Sequence, residues 1–137
     1  MNIIFETYGG IGKIIMSTVI IKKLKQKYPE SNILVVTTHP SVFKNNPHVK
    51  HIYTPDQKPA INGLYISGNR DVKILMREPY AESDFLLNKN HLLKTWSDLY
   101  DLDYNNELPE FYLDSTEIEQ YKKSYNTDKP IMVIHPN

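Results

Sequence analysis

The sequence predicts an α/β fold, a parallel sheet flanked by helices. Three features predict it. A short apolar run, "NIIFET", stops at glycines, as a strand buried on both faces does. A stretch of helical period follows and closes on lysines and a proline. A second apolar run, "NILVVTT", comes next, so the order is strand, glycine loop, helix, strand, which makes a right-handed parallel unit.

The first strand is expected over Asn2 to Thr7. From Gly12 the apolar residues Ile14, Ile21, Leu24 and Tyr28 fall on one helical face, with Lys22, Lys23, Lys25 and Lys27 in the last turns and Pro29 closing. Lysines there complement the negative end of the helix dipole. "HPSVFKNNPHVKHIYTP" carries a short helix candidate around Ser41 to Lys44 and a third strand around Val49 to Tyr53. "NGLYIS" and "DVKILM" read as two further short strands about the "GNRD" turn, either as a hairpin or with a loop between. Leu92, Leu93, Trp96, Leu99 and Tyr100 define an amphipathic helix entered near Asn90, with Trp96 in the core. Asp114, Ser115 or Thr116 caps a last helix that runs to about Tyr125, with Thr116 and Glu119 in capping-box register. "IMVIHPN" has the composition of one more strand.

At 137 residues the chain has the size of one domain. Lys plus Arg and Asp plus Glu are 16 each, so no net field draws it to nucleic acid or to an anionic membrane. It has no cysteine, hence neither a disulfide framework nor a thiolate metal cage. His39, His48, His51, His91 and His135 show neither H-x-x-x-H nor H-E-x-x-H spacing, so no metal site is legible. The N-terminus does not read as a signal peptide, and no apolar run approaches the ~20 residues of a membrane helix. A cytoplasmic protein is expected.

The glycine loop "YGGIGKII" invites three chemistries. A dinucleotide fold needs G-x-G-x-x-G and an acid at the end of the second strand, where this chain has Ile15 and then Thr37 and Thr38. "GGIGK" is similar to the "GGxGK" loop of ParA and MinD type ATPases. That loop needs a hydroxyl after the lysine for magnesium and an earlier lysine, where this chain has Ile14 and Tyr8.

The third reading is a sugar-nucleotide glycosyltransferase. "YGGIGKIIMSTVIIKKLKQKYPESNILVV" resembles the opening of glycosyltransferase family 9, the heptosyltransferases, in its "GGIG" loop, its Ser17-Thr18 pair, its Tyr28-Pro29 closure and its second strand. "NPHVKHIY", "NHLLKTWSDLYDL" and "KPIMVIHPN" extend the resemblance more faintly over nearly the whole chain. It implies a two-domain GT-B architecture of facing Rossmann-like halves. Residues 1–129 would then be the N-terminal, acceptor-side domain, and 130–137 the first strand of a second domain that lies beyond. The resemblance further implies a metal-independent, inverting transfer from a nucleotide sugar to a glycan or lipid-linked acceptor, with no cofactor. In that family the base is an Asp directly after the glycine loop, and Lys13 stands there. A protonated lysine is no base near neutral pH. At a helix N-terminus it makes an anion site, and Lys13 is expected to contact a phosphate or carboxylate.

The other candidates admit two readings each. Gly9, Gly10 and Gly12 serve either a tight turn or the approach of a ligand. Glu6, at the carboxyl end of the first strand, can supply the missing carboxylate or remain solvated. Ser17 and Thr18 reach a ligand only if the helix start faces the cleft, and otherwise back-bond within the helix. His39 sits at the same sheet edge or simply in a turn. Arg77 and Glu78 follow the "KILM" run and either line the cleft or form a surface pair. The runner-up function is a degenerate binding domain that keeps the fold without the chemistry. The isolated chain is expected to be inactive, and an exposed strand at 130–137 to promote self-association.

Overall fold

The computed structural model describes residues 1–68 and 71–125. Strand β1 is Asn2–Thr7, helix α1 Ile11–Lys27 and strand β2 Asn32–Thr37. A 3₁₀ turn at Pro40–Phe43 leads to β3, His51–Tyr53. After a second 3₁₀ turn at Pro55–Gln57, α2, Lys58–Ile61, runs on into a π turn at Asn62–Ile66, and β4 follows at Val72–Leu75. A 3₁₀ turn at Pro79–Ala81, α3 at Ser83–Leu86, α4 at Leu92–Leu99 and α5 at Ser115–Ser124 complete the described chain.

The four strands form one parallel sheet in the order β3-β2-β1-β4. Its two central strands are buried on both faces, which is why their sequences are nearly all apolar. Odd positions of β1 and β2, Ile3, Phe5, Ile33 and Val35, meet Ile14, Ile21 and Leu24 of α1 and Leu93 and Trp96 of α4. Even positions, Ile4, Leu34 and Val36, meet Ile61 of α2. Phe5 lies 5.8 Å from the Trp96 ring and 6.3 Å, edge-on, from Tyr100, so aromatic packing ties α4 to the central strand.

Strand and helix starts follow local chemistry. The His91 Nδ1 accepts from Leu93 N at 3.3 Å and caps α4. The box at α5 is Asp114 with Glu117, since Glu117 N donates to Asp114 Oδ1 at 2.8 Å and Asp114 N to Glu117 Oε2 at 3.2 Å. It sits two residues before the expected Thr116 and Glu119. The expected strand at Asn62–Ser67 is instead helical. Ile61 and Tyr65, four apart, share one helical side, where Ile61 is buried beneath the sheet and Tyr65 packs with Tyr53. With its expected partner helical, β4 forms no hairpin and, among the described residues, pairs with β1 alone; Asn69 and Arg70 of the "GNRD" turn lie outside the described residues. So do His135 and the expected strand and domain start at 130–137.

The late lysines of α1 do more than complement a dipole. Residues 101–117 run back along the helix as a strap, with Lys27 paired to Asp101 at 3.1 Å, Lys23 to Glu107 and Lys22 to Glu110. Farther on, Lys44 reaches Asp114 and Glu117 at 3.3 and 2.9 Å, while α5 itself buries no residue. Lys22 and then the Tyr112 hydroxyl hold the Glu110 carboxyl below its ordinary range, and Lys44 and the Asp114 backbone do the same for Glu117.

A carboxylate depressed on folding stabilises the fold fully above its unfolded pKa of ~4.3, and that contribution is lost as pH falls through the lower folded value. Backbone amides of residues 105–118 are therefore expected to lose hydrogen-exchange protection on acidification before those of β1 and β2, and to lose it earlier in high salt. Trp96→Ala opens the core beside Phe5 and is expected to cost roughly 3–5 kcal/mol in urea unfolding.

Candidate functional site

Parallel strands bring all their carboxyl ends to one edge of the sheet. The chain leaves β1 toward β2 and β3 on one side and returns to place β4 on the other, so the strand order reverses between β1 and β4. Ligands of open α/β sheets bind outside such a switch point. Here it is formed by the glycine loop after β1, the start of α1, and residues 76–78 after β4.

The three glycines of the loop differ in what they require. Gly9 has φ +107°, a left-handed conformation that side chains rarely adopt, and Thr38 Oγ1 donates to its carbonyl at 3.5 Å. Gly10 is the N-cap of α1 in extended conformation, with no side-chain cap and no acid in the first turn. A Cβ at Gly10 or Gly12 would meet nothing within 4 Å, so neither is small for the sake of internal packing. The open helix start thus presents unbonded N–H groups to the switch point.

Lys13 is not a free cation there. Its ammonium pairs with Glu78 and lies 5.6 Å from the Trp96 ring centroid and 5.7 Å from that of Tyr80. Its side chain is only 9% exposed, whereas that of Glu78 is 48% exposed. The second Glu78 oxygen accepts from Tyr80 N at 3.3 Å, which caps the 3₁₀ turn. The pair therefore presents a carboxylate outward and an ammonium inward, held against two aromatic faces.

Glu6 belongs elsewhere. It shares a face with Ile4, the α2 side of the sheet, where its carboxylate accepts from Lys58 at 2.6 Å and from the Tyr8 hydroxyl at 2.5 Å. Burial, then Glu6, raises the Tyr8 phenol above its ordinary range, and Glu6 raises Lys58. Glu6 and Lys13 thus lie on opposite faces of the sheet and do not form one catalytic group. Ser17 and Thr18 are fully buried. Their hydroxyls donate to Ile14 O at 2.7 Å and Ile15 O at 2.8 Å, and Thr18 Oγ1 accepts from Glu110 N at 3.0 Å, so they fasten the helix and the strap and do not face the cleft. His39 sits half-buried beyond β2, its backbone N–H donating to Thr37 Oγ1 at 3.2 Å. Arg77 pairs with Glu82 at 2.8 Å, not with Glu78.

Glu78 and Lys58 are the groups that sequence reasoning left aside or ranked low. The signal for Glu78 lies three residues past β4, as Lys13 lies six past β1, and becomes visible only once those strands are known to be neighbours. Among the described residues no cluster of His, Cys, Asp or Glu is arranged to hold a metal ion, and no helix is long and apolar enough to cross a membrane.

No protein-family model matches the chain, and no curated protein matches it. Among solved structures it is similar to the glycosyl transferase family 9 protein of Veillonella parvula DSM 2008, with a TM-score of 0.66 and 15% sequence identity over 92% of this chain and 50% of that one. The chain thus spans about half the length of that protein. At this identity the likeness establishes the fold, an α/β domain like that of a GT-B glycosyltransferase.

Gly9→Ala is expected to destabilise the chain by roughly 1–2 kcal/mol through its positive φ. Gly12→Ala, with open space and helical backbone, is expected to stabilise it by about 0.4–1 kcal/mol. Paired urea titrations check both.

Proposed function

We propose that the chain is the acceptor-side half of a family 9-like glycosyltransferase acting in the cytoplasm, moving a sugar from a nucleotide sugar to a glycan or lipid-linked acceptor without a metal. One observation supports this reading: a glycine loop stands open at the switch point of a parallel sheet, in a chain that is similar over 92% of its length to half of a glycosyl transferase family 9 protein. In this reading the acceptor lies on the edge formed by Gly9, Gly10, Gly12 and the outward carboxylate of Glu78. The nucleotide sugar is held by a further domain, outside these residues.

The Lys13–Glu78 pair recasts the missing base. A lysine in the base's position cannot take a proton, but it brings a carboxylate beside itself from the strand next door. Glu78 then accepts the proton of the acceptor hydroxyl as that hydroxyl attacks the anomeric carbon and the nucleoside diphosphate departs. Lys13 positions the carboxylate and is not itself an acid or base. This refines the expectation that Lys13 contacts a ligand anion, because an incoming anion has to compete with Glu78.

A degenerate binding domain remains the second reading, favoured by one observation: Lys13 and Glu6 are both already satisfied by internal ion pairs. Titrating the ¹⁵N-labelled chain separates the readings. Glycans released from lipid carriers are expected to shift the amides of Gly9, Gly10 and Gly12, while UDP-, GDP- and ADP-sugars leave them in place and no nucleoside diphosphate is released. Shifts of the same amides by ATP with magnesium would instead restore the phosphate-loop reading. Joined to a donor-binding half, Glu78→Gln is expected to lower turnover by about 10²–10⁴-fold at unchanged acceptor affinity.

A further inference from the structure

Two side chains of α4 and its C-cap, one helical turn apart, hold the two members of the Lys13–Glu78 pair. The Trp96 ring receives the Lys13 ammonium at 5.6 Å. Four residues on, Tyr100 reaches the chain that carries Glu78. Its hydroxyl accepts from Arg77 N at 3.0 Å and donates to Arg77 O at 3.5 Å, so one oxygen grips both backbone groups of the residue before Glu78.

That grip bears on where the chain goes after β4. β1 pairs with β2 along all of Asn2–Thr7, but its register with β4 stops at Phe5 with Leu75. Two more steps of the ladder would set Met76 across from Glu6 and Arg77 across from Thr7. The Arg77 N–H goes to Tyr100 instead, and Tyr100 packs with the core that α1 and α4 make on one face of the sheet. Lys13 of α1 lies against Trp96 on that face, so a chain drawn there brings Glu78 to it.

Met76, Arg77 and Glu78 are exposed, between the buried Leu75 and the buried Pro79. So short an exposed span has little packing of its own, and the Tyr100 oxygen is a fixed point beneath it. Tyr100 is itself anchored: its ring stands edge-on to Phe5 at 6.3 Å and its N–H donates to Ser97 O at 3.1 Å. Burial raises its phenol above the ordinary range, so the oxygen stays neutral at neutral pH.

We infer that Tyr100 is a positioning residue, whose hydroxyl draws the chain off the β1 ladder and thereby sets the Glu78 carboxylate against Lys13. Tyr100 acts through Glu78 and is not a catalytic group. That Glu78 takes a proton rests on the transferase reading; that Tyr100 places it does not.

The test follows the Lys13 side chain of the ¹³C,¹⁵N-labelled full chain by NMR, because its ε-methylene lies beside the Trp96 and Tyr80 rings and takes its chemical shift from them. Tyr100→Phe keeps the ring on Phe5 and removes only the oxygen. It is expected to speed exchange of the Arg77 amide about three- to tenfold, as loss of one hydrogen bond does, and to move the Lys13 ε signals toward their position in Glu78→Gln. A role confined to local stability would move the first and leave the second. In the Glu78→Gln background, Tyr100→Phe is expected to leave the Lys13 signals in place, because the link between the two is gone. Lys13 signals that ignore Tyr100→Phe, or that move equally in both backgrounds, overturn the proposal. So does movement spread over the amides of β1 and β2, which would mark Tyr100 as a residue of the core alone. In the chain joined to a donor-binding half, turnover that Glu78→Gln abolishes, with Lys13 indifferent to Tyr100→Phe, would sink the tether and keep the transferase reading. Absence of turnover, with Lys13 responding as expected, would keep the tether and sink the transferase reading.

Discussion

The pairing of β1 between β2 and β4 is the constraint on which the rest of the molecule depends. It buries Ile3, Ile4 and Phe5 completely, and it forces helices onto both faces, because a strand with two apolar faces needs two covers. It also decides which residues meet. With β4 beside β1, the loop after each strand opens at the same place, and Lys13 and Glu78, 65 residues apart, become an ion pair. Had β4 joined the sheet beyond β3, the two would stand at opposite ends of the edge and neither would have a partner.

Much of this was legible in the sequence where a local rule governs. β1 spans the six residues of the apolar run before the glycines, α4 follows its apolar spacing to Leu99, and Trp96 lies in the core. The failures have physical causes. The apolar run at Asn62–Ser67 is ambiguous in period over so few residues, and Tyr65 settles it by packing beside Tyr53, a contact no local window contains. Asp114 is among the three expected caps and is the observed one, and only the box register differs: Lys44, 70 residues away, sides with Asp114 over Thr116. At the candidate site the glycines were legible as a turn, but the partner of Lys13 was not. Strand order is a global property, and it pairs Lys13 with Glu78, while Glu6, the carboxylate expected to replace the missing base, is held by Lys58 on the opposite face.

Two distinct modes of cohesion coexist in the chain. The sheet, α1 and α4 are joined by apolar burial, which salt hardly touches. Residues 101–117 place Leu102 and Tyr104 against that core and are otherwise joined through lysines and carboxylates, so the balanced charge of 16 against 16 hides a segregated arrangement, with lysines gathered along α1 and acids along the strap. Near-surface pairs of this kind are individually weak, and what they specify is position more than stability.

The sheet order also bears on biosynthesis. β1 finds β2 soon after Thr37 leaves the ribosome, but its other edge stays bare until Leu75 has emerged, because β4 is the strand that covers it. At elongation rates of about 5–20 residues per second, that interval lasts roughly 2–8 s. Throughout it a central strand of the nascent chain offers an open ladder of N–H and C=O groups to any passing strand, so the window of vulnerability to misassembly is set by topology and translation speed together.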